Sequence, residues 1–530
     1  MFKRGLLAFA AFLALSVGAQ AEEHLGTVSF ANSCKPELAA DINRGVSLLH
    51  NFWYAEARPQ FERILKADPS CSIAHWGIAM SSFHQIWERP NDKTMAMGAK
   101  QMKAANAKPA GSERERAYVA ALTRFFKPGK ADYQTRIDAY AADMGKLAAR
   151  YPDDVDAGAF YALALLATSP PGDTTLDSNK KAMAVLEPLW RAHPDNPGLV
   201  HYITHACDTP TMAAQGLAAA KHYGEIAPSG PHSAHMPGHI FSRLGMWAED
   251  IAANQASITA SADAETHHLN GWMDQFHSDD FLVYAYLQSG QETQAKTIAQ
   301  NSEKAIQHFA SMPEMAPDDH MSGMYAYYRA KLPIFIALET RNWPDVIAVA
   351  YDQSAPPTSQ LQIAWAHAIA AGHLGDREES KRALAKFDDL LDAVRKTSFA
   401  YMAQGSGVTL RRNEMLAWQA FADKDAAGAA KYMREAADLQ DKVGQGEVDI
   451  PAREMLAEIL LETGHPSEAL AEYKQALTLI PNRFNGLYGA AKAADAAGDK
   501  AAATDYYRAL LKSAGASQRA EIAKAKAFLG

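Results

Sequence analysis

From about Pro36 onward the chain repeats one pattern. Apolar residues return every three or four positions, separated by Ala, Glu and Lys, and runs of Val, Ile and Thr are scarce. That period puts the apolar side chains on one face of a helix, so the pattern predicts helices throughout and an all-α chain. Aligned on itself at an offset of 34 residues, the C-terminal region sets Gly464 on Gly498, Ala469 on Ala503, Tyr473 on Tyr507 and Ala476 on Leu510. A unit of this length holds two helices that cannot bury their apolar stripes alone, and stacking of units buries them.

Within a unit, the second helix carries a small residue, an aromatic about a turn later, another small or apolar residue, and a closing proline. Ala469, Tyr473, Ala476 and Pro481 fill these places, as do Ala57, Phe61, Ile64 and Pro69 with Gly45 in the preceding helix. Gly216, Ala220, Tyr223 and Pro228 give a third instance. Small residues let paired helices approach, the aromatic fills the groove between them, and proline ends the second helix. The pattern resembles the tetratricopeptide repeat. That resemblance implies a right-handed solenoid of helix pairs whose first helices line a concave groove, with a protein or peptide partner in it. The stretches "LLHNFWY", "IAHWGIAM", "HMPGHIFSRLGMW" and "FHSDDFLVYAYLQSG" are similar to exported bacterial tetratricopeptide proteins with a histidine-rich centre. This second likeness implies that His50, His84, His201, His205, His235, His239 and His277 belong to one set.

Three segments interrupt the register and are predicted as loops: "SPPGDTTLDSNKK", Glu265 to Gln275, and "SMPEMAPDDHMSGM". The chain is divided accordingly into residues 22–357, which hold the histidine-rich units, and residues 358–530, which hold good repeats without a site. Residues 1–21 stand apart. Lys3 and Arg4, the apolar run from Leu6 to Val17, and Ala19, Gln20 and Ala21 before Glu22 read as a secretory signal peptide, which predicts a periplasmic or secreted protein without a membrane anchor.

Charge narrows the choice of partner. The chain has 52 basic and 61 acidic residues, and loss of Lys3 and Arg4 with the leader deepens its net charge from −9 to −11, which argues against a nucleic-acid partner. Of the three cysteines, Cys34 and Cys71 bracket the first helix pair and can form a disulfide in an oxidising compartment, leaving Cys207 free.

Ten of the 19 histidines fall between His193 and His277. His201 and His205 are four apart, hence on one helical face, and His235 and His239 repeat that spacing 34 residues later. The pairs are register mates on consecutive first helices, which pack at roughly 8 to 10 Å. Their four nitrogens are predicted to converge on one divalent transition metal, zinc ahead of copper or iron, with His277 and Asp280 from the next first helix. His232 and Asp208 are further groove candidates, although Asp208 precedes Thr209 and Pro210 and reads first as the cap of the next helix. His50 and His84, with Trp53 and Trp87, form another pair at 34, readable as packing or as an extension of the groove.

Competing readings use the same residues. Paired histidines also make a polar groove for a peptide, which yields a metal-free adaptor. A metal-dependent hydrolase or oxygenase needs an open coordination position and a base, for which Asp279 or Asp280 qualifies. The sequence has no HExxH, nucleophile elbow, phosphate loop or CxxC, which sets binding ahead of catalysis. His267, His268 and Trp272 can form a lid over the site, and Met312, Met315, Met321 and Met324 with His320 offer ligands soft enough for copper(I).

Overall fold

In the first unit Phe61 decides how closely the helices pack. A Cβ on Gly45 would lie 2.8 Å from its ring, and one on Gly77 would lie 2.5 Å away. Ala39–His50 and Ser72–Met80 therefore close on Tyr54–Ala67 from both sides, as only glycine permits. Tyr473 repeats the arrangement between Ala452–Glu462, Pro466–Leu479 and Phe484–Ala496, its ring 2.3 Å from where a Gly489 Cβ would stand. The 34-residue register is thus realised as stacked helix pairs in an all-α chain, and the described residues contain no strand.

The computed structural model describes residues 23–86, 89–108, 111–170, 173, 175–267, 269, 272–311, 319–397, 399–446 and 448–530. The signal-peptide reading, Trp87, His268, Met312 and Met315 lie outside them, as do the side chains of Trp272, His320 and Met321. None of the helices among the described residues is long and apolar enough to cross a membrane. Cys34 and Cys71 are joined in a disulfide, and Cys207 is a buried free thiol.

The interruptions are shorter than the sequence pattern predicts. Asp177–Ala192, Trp272–Gln288 and Asp319–Glu339 each begin inside a segment read as loop.

Two large apolar cores run from Leu25 to Ala264 and from Ala330 to Ala503. A smaller cluster joins them, in which Trp247, Phe281 and Tyr284 meet Val448 and Ile480. Gly245 sits at this joint with φ +62°, and a Cβ there would fall 2.1 Å from the carbonyl oxygen of Pro481. The Trp247 indole donates to the carbonyl of Asn482 at 2.9 Å. Arg483, almost wholly buried, joins Glu339 and Glu454 at 2.9 Å each. The C-terminal repeats therefore rest against the histidine-bearing helices.

Candidate metal centre

The histidine-bearing helices are fixed at their starts. Asn196 caps Pro197–Cys207, its Oδ1 accepting from the amides of Gly198 at 3.0 Å and Leu199 at 3.3 Å, while Pro197 supplies the φ of a first helical residue. The following first helix is divided into Pro231–His235 and Pro237–Arg243, because Pro237 has no N–H to give. His201 and His205 stand on the former helix, His232, His235 and His239 on the divided one, and His277 on Trp272–Gln288.

Six imidazoles form two adjoining triads: His201, His205 and His232, and His235, His239 and His277. In each triad one ring nitrogen from every histidine lies within 4.8 Å of the other two. The triads touch, with ring centres of His205 and His239 6.4 Å apart and those of His232 and His235 6.3 Å apart. The register predicts both i,i+4 pairs around a single point. The structure instead completes each pair with one ring from the following first helix, His232 for the first and His277 for the second. Four of the rings are out of solvent, His201 and His235 fully buried and His232 and His239 4% and 3% exposed, while His205 and His277 are half-buried.

The remaining candidates have other tasks. Asp280 pairs with Lys331 and belongs to neither triad. His50 spends both ring nitrogens, on Asp156 and on the Tyr202 hydroxyl at 3.0 Å each, and stacks on Phe160. Its carbonyl oxygen takes the hydrogen bond of His201 Nδ1 at 2.5 Å, so His50 orients a triad member. His84 stacks on Tyr54 at 4.5 Å and belongs to neither triad. Asp208 does not cap the next helix: Ala213–Ile226 starts without a side-chain cap, and the carboxylate goes to His239 and Arg243 instead. His267 bonds back to the Asp263 carbonyl, and Met324 packs beside Phe276 and Phe309.

Polar partners set the direction of four of the six rings. His235 Nδ1 donates to Asn254 Oδ1 at 2.6 Å, since the Asn254 amide nitrogen is itself donating to Asp250. His239 Nδ1 donates to Asp208 at 2.9 Å. Both Nε2 atoms then carry lone pairs, and they face each other at 2.9 Å. The first triad repeats this. His201 Nδ1 gives its proton to a carbonyl, His232 Nδ1 lies 3.4 Å from Asp274, and the two Nε2 atoms are 3.2 Å apart. Nε2 of His205 is buried without a hydrogen-bond partner among the described residues. Facing lone pairs repel unless a proton or a cation sits between them, and a buried unpaired ring nitrogen carries its full desolvation cost.

A proton is a poor occupant. Burial, reinforced by neighbouring imidazoles, pushes His201, His205 and His235 well below the usual histidine range. Asp208 goes the other way: against the cost of burial, Arg243 and His239 hold it well below the ordinary carboxylate range. A cation fits the donor set. Zinc–nitrogen bonds of about 2.0–2.1 Å at tetrahedral angles put nitrogens about 3.3 Å apart, and outward Nδ1–H bonds to carboxylate, amide and carbonyl oxygens are the usual support of ligating histidines.

Sequence reasoning missed Asn254, Asp250 and Asp274, which have no counterpart in the 34-residue register. It also missed a group of His373, Glu458 and Glu462, in which Glu458 is already paired with Arg341.

Residues 450–483 match the family model of the tetratricopeptide repeat, and they span the helix pair built around Tyr473. That segment of the chain is a tetratricopeptide repeat. The chain is similar to the solved P58(IPK) TPR domain, at 14% identity over 71% of this chain and 98% of that one, with a TM-score of 0.23. It is also similar to a human IFIT1 dimer with m7Gppp-AAAA, at 10% identity over 83% and 90% of the respective chains, with a TM-score of 0.37. Both scores are too low for the likeness to bear on function. No curated protein matches the chain. The histidine-bearing units lie outside the matched segment, so the triads rest on their own geometry.

Proposed function

We propose that this tetratricopeptide-repeat scaffold is exported to the periplasm or beyond and holds divalent transition-metal ions, zinc ahead of copper(II) and iron(II), at its two histidine triads. One observation carries the reading: Nε2 of His235 and Nε2 of His239 face each other at 2.9 Å while both Nδ1 atoms are spent on Asn254 and Asp208. All-nitrogen donor sets suit these metals, and three protein ligands leave a coordination position open. The scaffold docks a protein or peptide, as repeats of this kind do, and the buried ions brace the surface it offers.

Separate removal of the triads tests this. Untagged full-length protein with His235→Ala and His239→Ala should lose one class of bound metal and keep the other, and His201→Ala with His205→Ala should do the reverse. A wild-type chain that binds no metal, and that engages a peptide partner equally well with and without chelator, would establish the metal-free adaptor instead.

A further inference from the structure

The residues ahead of the first helix belong to no repeat, yet they are held firmly. From Glu23 to Ala31 the chain forms neither helix nor strand, and Leu25, Val28 and Phe30 are buried in the N-terminal core. Phe30 anchors one end of this strap, its ring centre 5.3 Å from that of Tyr118 and 5.8 Å from that of Trp76, with the Arg114 guanidinium 4.4 Å away. Glu23 anchors the other end through bonds from Arg44 at 2.6 and 2.8 Å.

Between the anchors the strap bonds to three places, and each one orients or carries the first triad. The Leu25 carbonyl accepts from Asn51 Nδ2 at 3.0 Å, directly after His50, whose own carbonyl holds His201. The Thr27 amide donates to the Asp195 carbonyl at 2.8 Å, just ahead of Pro197–Cys207 with His201 and His205. The Gly26 amide donates to the Ile226 carbonyl at 2.9 Å, and His24 exchanges bonds of 2.8 and 3.2 Å with Ser229, in the turn that leads to His232.

Asn51 carries the tie inward. Its Oδ1 accepts from the Tyr223 hydroxyl at 2.8 Å, and the Tyr223 ring stacks on His201 with centroids 5.1 Å apart. The next residue, Phe52, has φ +56°, a left-handed conformation that a bulky residue keeps only where its surroundings impose it. Its ring centre lies 4.3 Å from that of His201, 5.5 Å from that of His205 and 5.6 Å from that of His232. Among the described residues the strap makes no hydrogen bond to Asn254 or Asp208, which support the second triad.

We propose that residues 23–31 are a clasp that holds together the carriers of the first triad and retains the metal there, while the second triad depends on its own supports. This rests on the metal reading of the first triad. A buried ion leaves when the segments that carry its ligands part, so a loosened clasp lets them part more often.

Gly26 is the place to loosen it. It has φ +78°, and a Cβ there would lie 2.9 Å from Pro197 Cδ and 3.0 Å from the Asp195 carbonyl oxygen, so Gly26→Val unseats the strap. Thr27→Pro removes the amide bonded to Asp195, at an exposed residue and without bulk at Gly26. Both are placed in full-length protein that keeps a single triad, the first after His235→Ala with His239→Ala, the second after His201→Ala with His205→Ala. Thermal melts establish that each variant folds, and the release of zinc to a chromophoric chelator is then timed. Both strap variants should speed release from the first triad by about tenfold or more, and from the second by less than about twofold. Release from the first triad that is unchanged in both variants, or that accelerates equally at both triads, overturns the clasp and leaves the metal reading standing. A wild-type chain that takes up no zinc overturns both.

Discussion

The carboxylate of Asp208 lies 2.9 Å from Nδ1 of His239, and this contact turns Nε2 of the ring toward His235. The other carboxylate oxygen holds Nε of Arg243 at 2.9 Å, and Arg243 reaches on to the carbonyls of Gln445 and Gly446. One buried acid therefore orients a triad member and ties the centre to the C-terminal repeats.

Replacing that acid should be felt in both properties. Asp208→Ala removes the support of His239 and should weaken metal binding at the second triad by about 10- to 100-fold, read by competition with a chromophoric chelator. It also leaves the buried Arg243 without its carboxylate, at a cost of up to about 3–5 kcal/mol in urea denaturation. Unchanged metal affinity would deny Asp208 its supporting role.

The pH dependence follows from the buried rings. His201, His205 and His235 stay neutral in the fold at pH values where the unfolded chain takes up protons, since their pKa values are pushed well below the usual 6.5. Below about pH 6.5 the unfolded state binds more protons, so stability of the metal-free protein should fall as pH drops, by up to about 1.4 kcal/mol per pH unit for each of these histidines. Above that pH they contribute no slope. Metal affinity should fall over the same range, because protons compete for the ligating nitrogens. Urea midpoints of chelator-treated protein measured between about pH 8 and about pH 5 check the sign, and a midpoint that rises on acidification would contradict it.

The disulfide contributes separately. Cys34 and Cys71 enclose a loop with a sequence separation of 37, which constrains the unfolded chain by up to about 4 kcal/mol in the entropic model. Reduction should lower the melting temperature of the full-length protein without altering its metal content, since neither cysteine belongs to a triad.

Much of the fold is legible in the sequence because its contacts are local or repeat at 34 residues. Gly45 and Phe61 fill places of the repeat pattern and pack on each other, whereas Gly77, on the other side of Phe61, does not fall on the 34-residue register. The triads are legible only in part. The i,i+4 spacing finds each pair, but which third ring completes it depends on how consecutive helices are displaced. His232, three residues before His235, accordingly serves the other triad. Asp208 looks like a cap because Thr209 and Pro210 are adjacent, whereas its partners His239 and Arg243 stand 31 and 35 residues away. Asp280 shares a helix with His277 and looks like a ligand until the fold brings Lys331 to it. Closure of the C-terminal repeats onto Arg243, across about two hundred residues, leaves no periodic trace.

Elemental analysis of untagged full-length protein, prepared without chelator, is the most direct test of the metal-centre account. It should find a transition metal, zinc foremost, at about one equivalent per triad. Zinc, copper and iron all at background, in a folded chain that still takes up none after incubation with zinc, would contradict it.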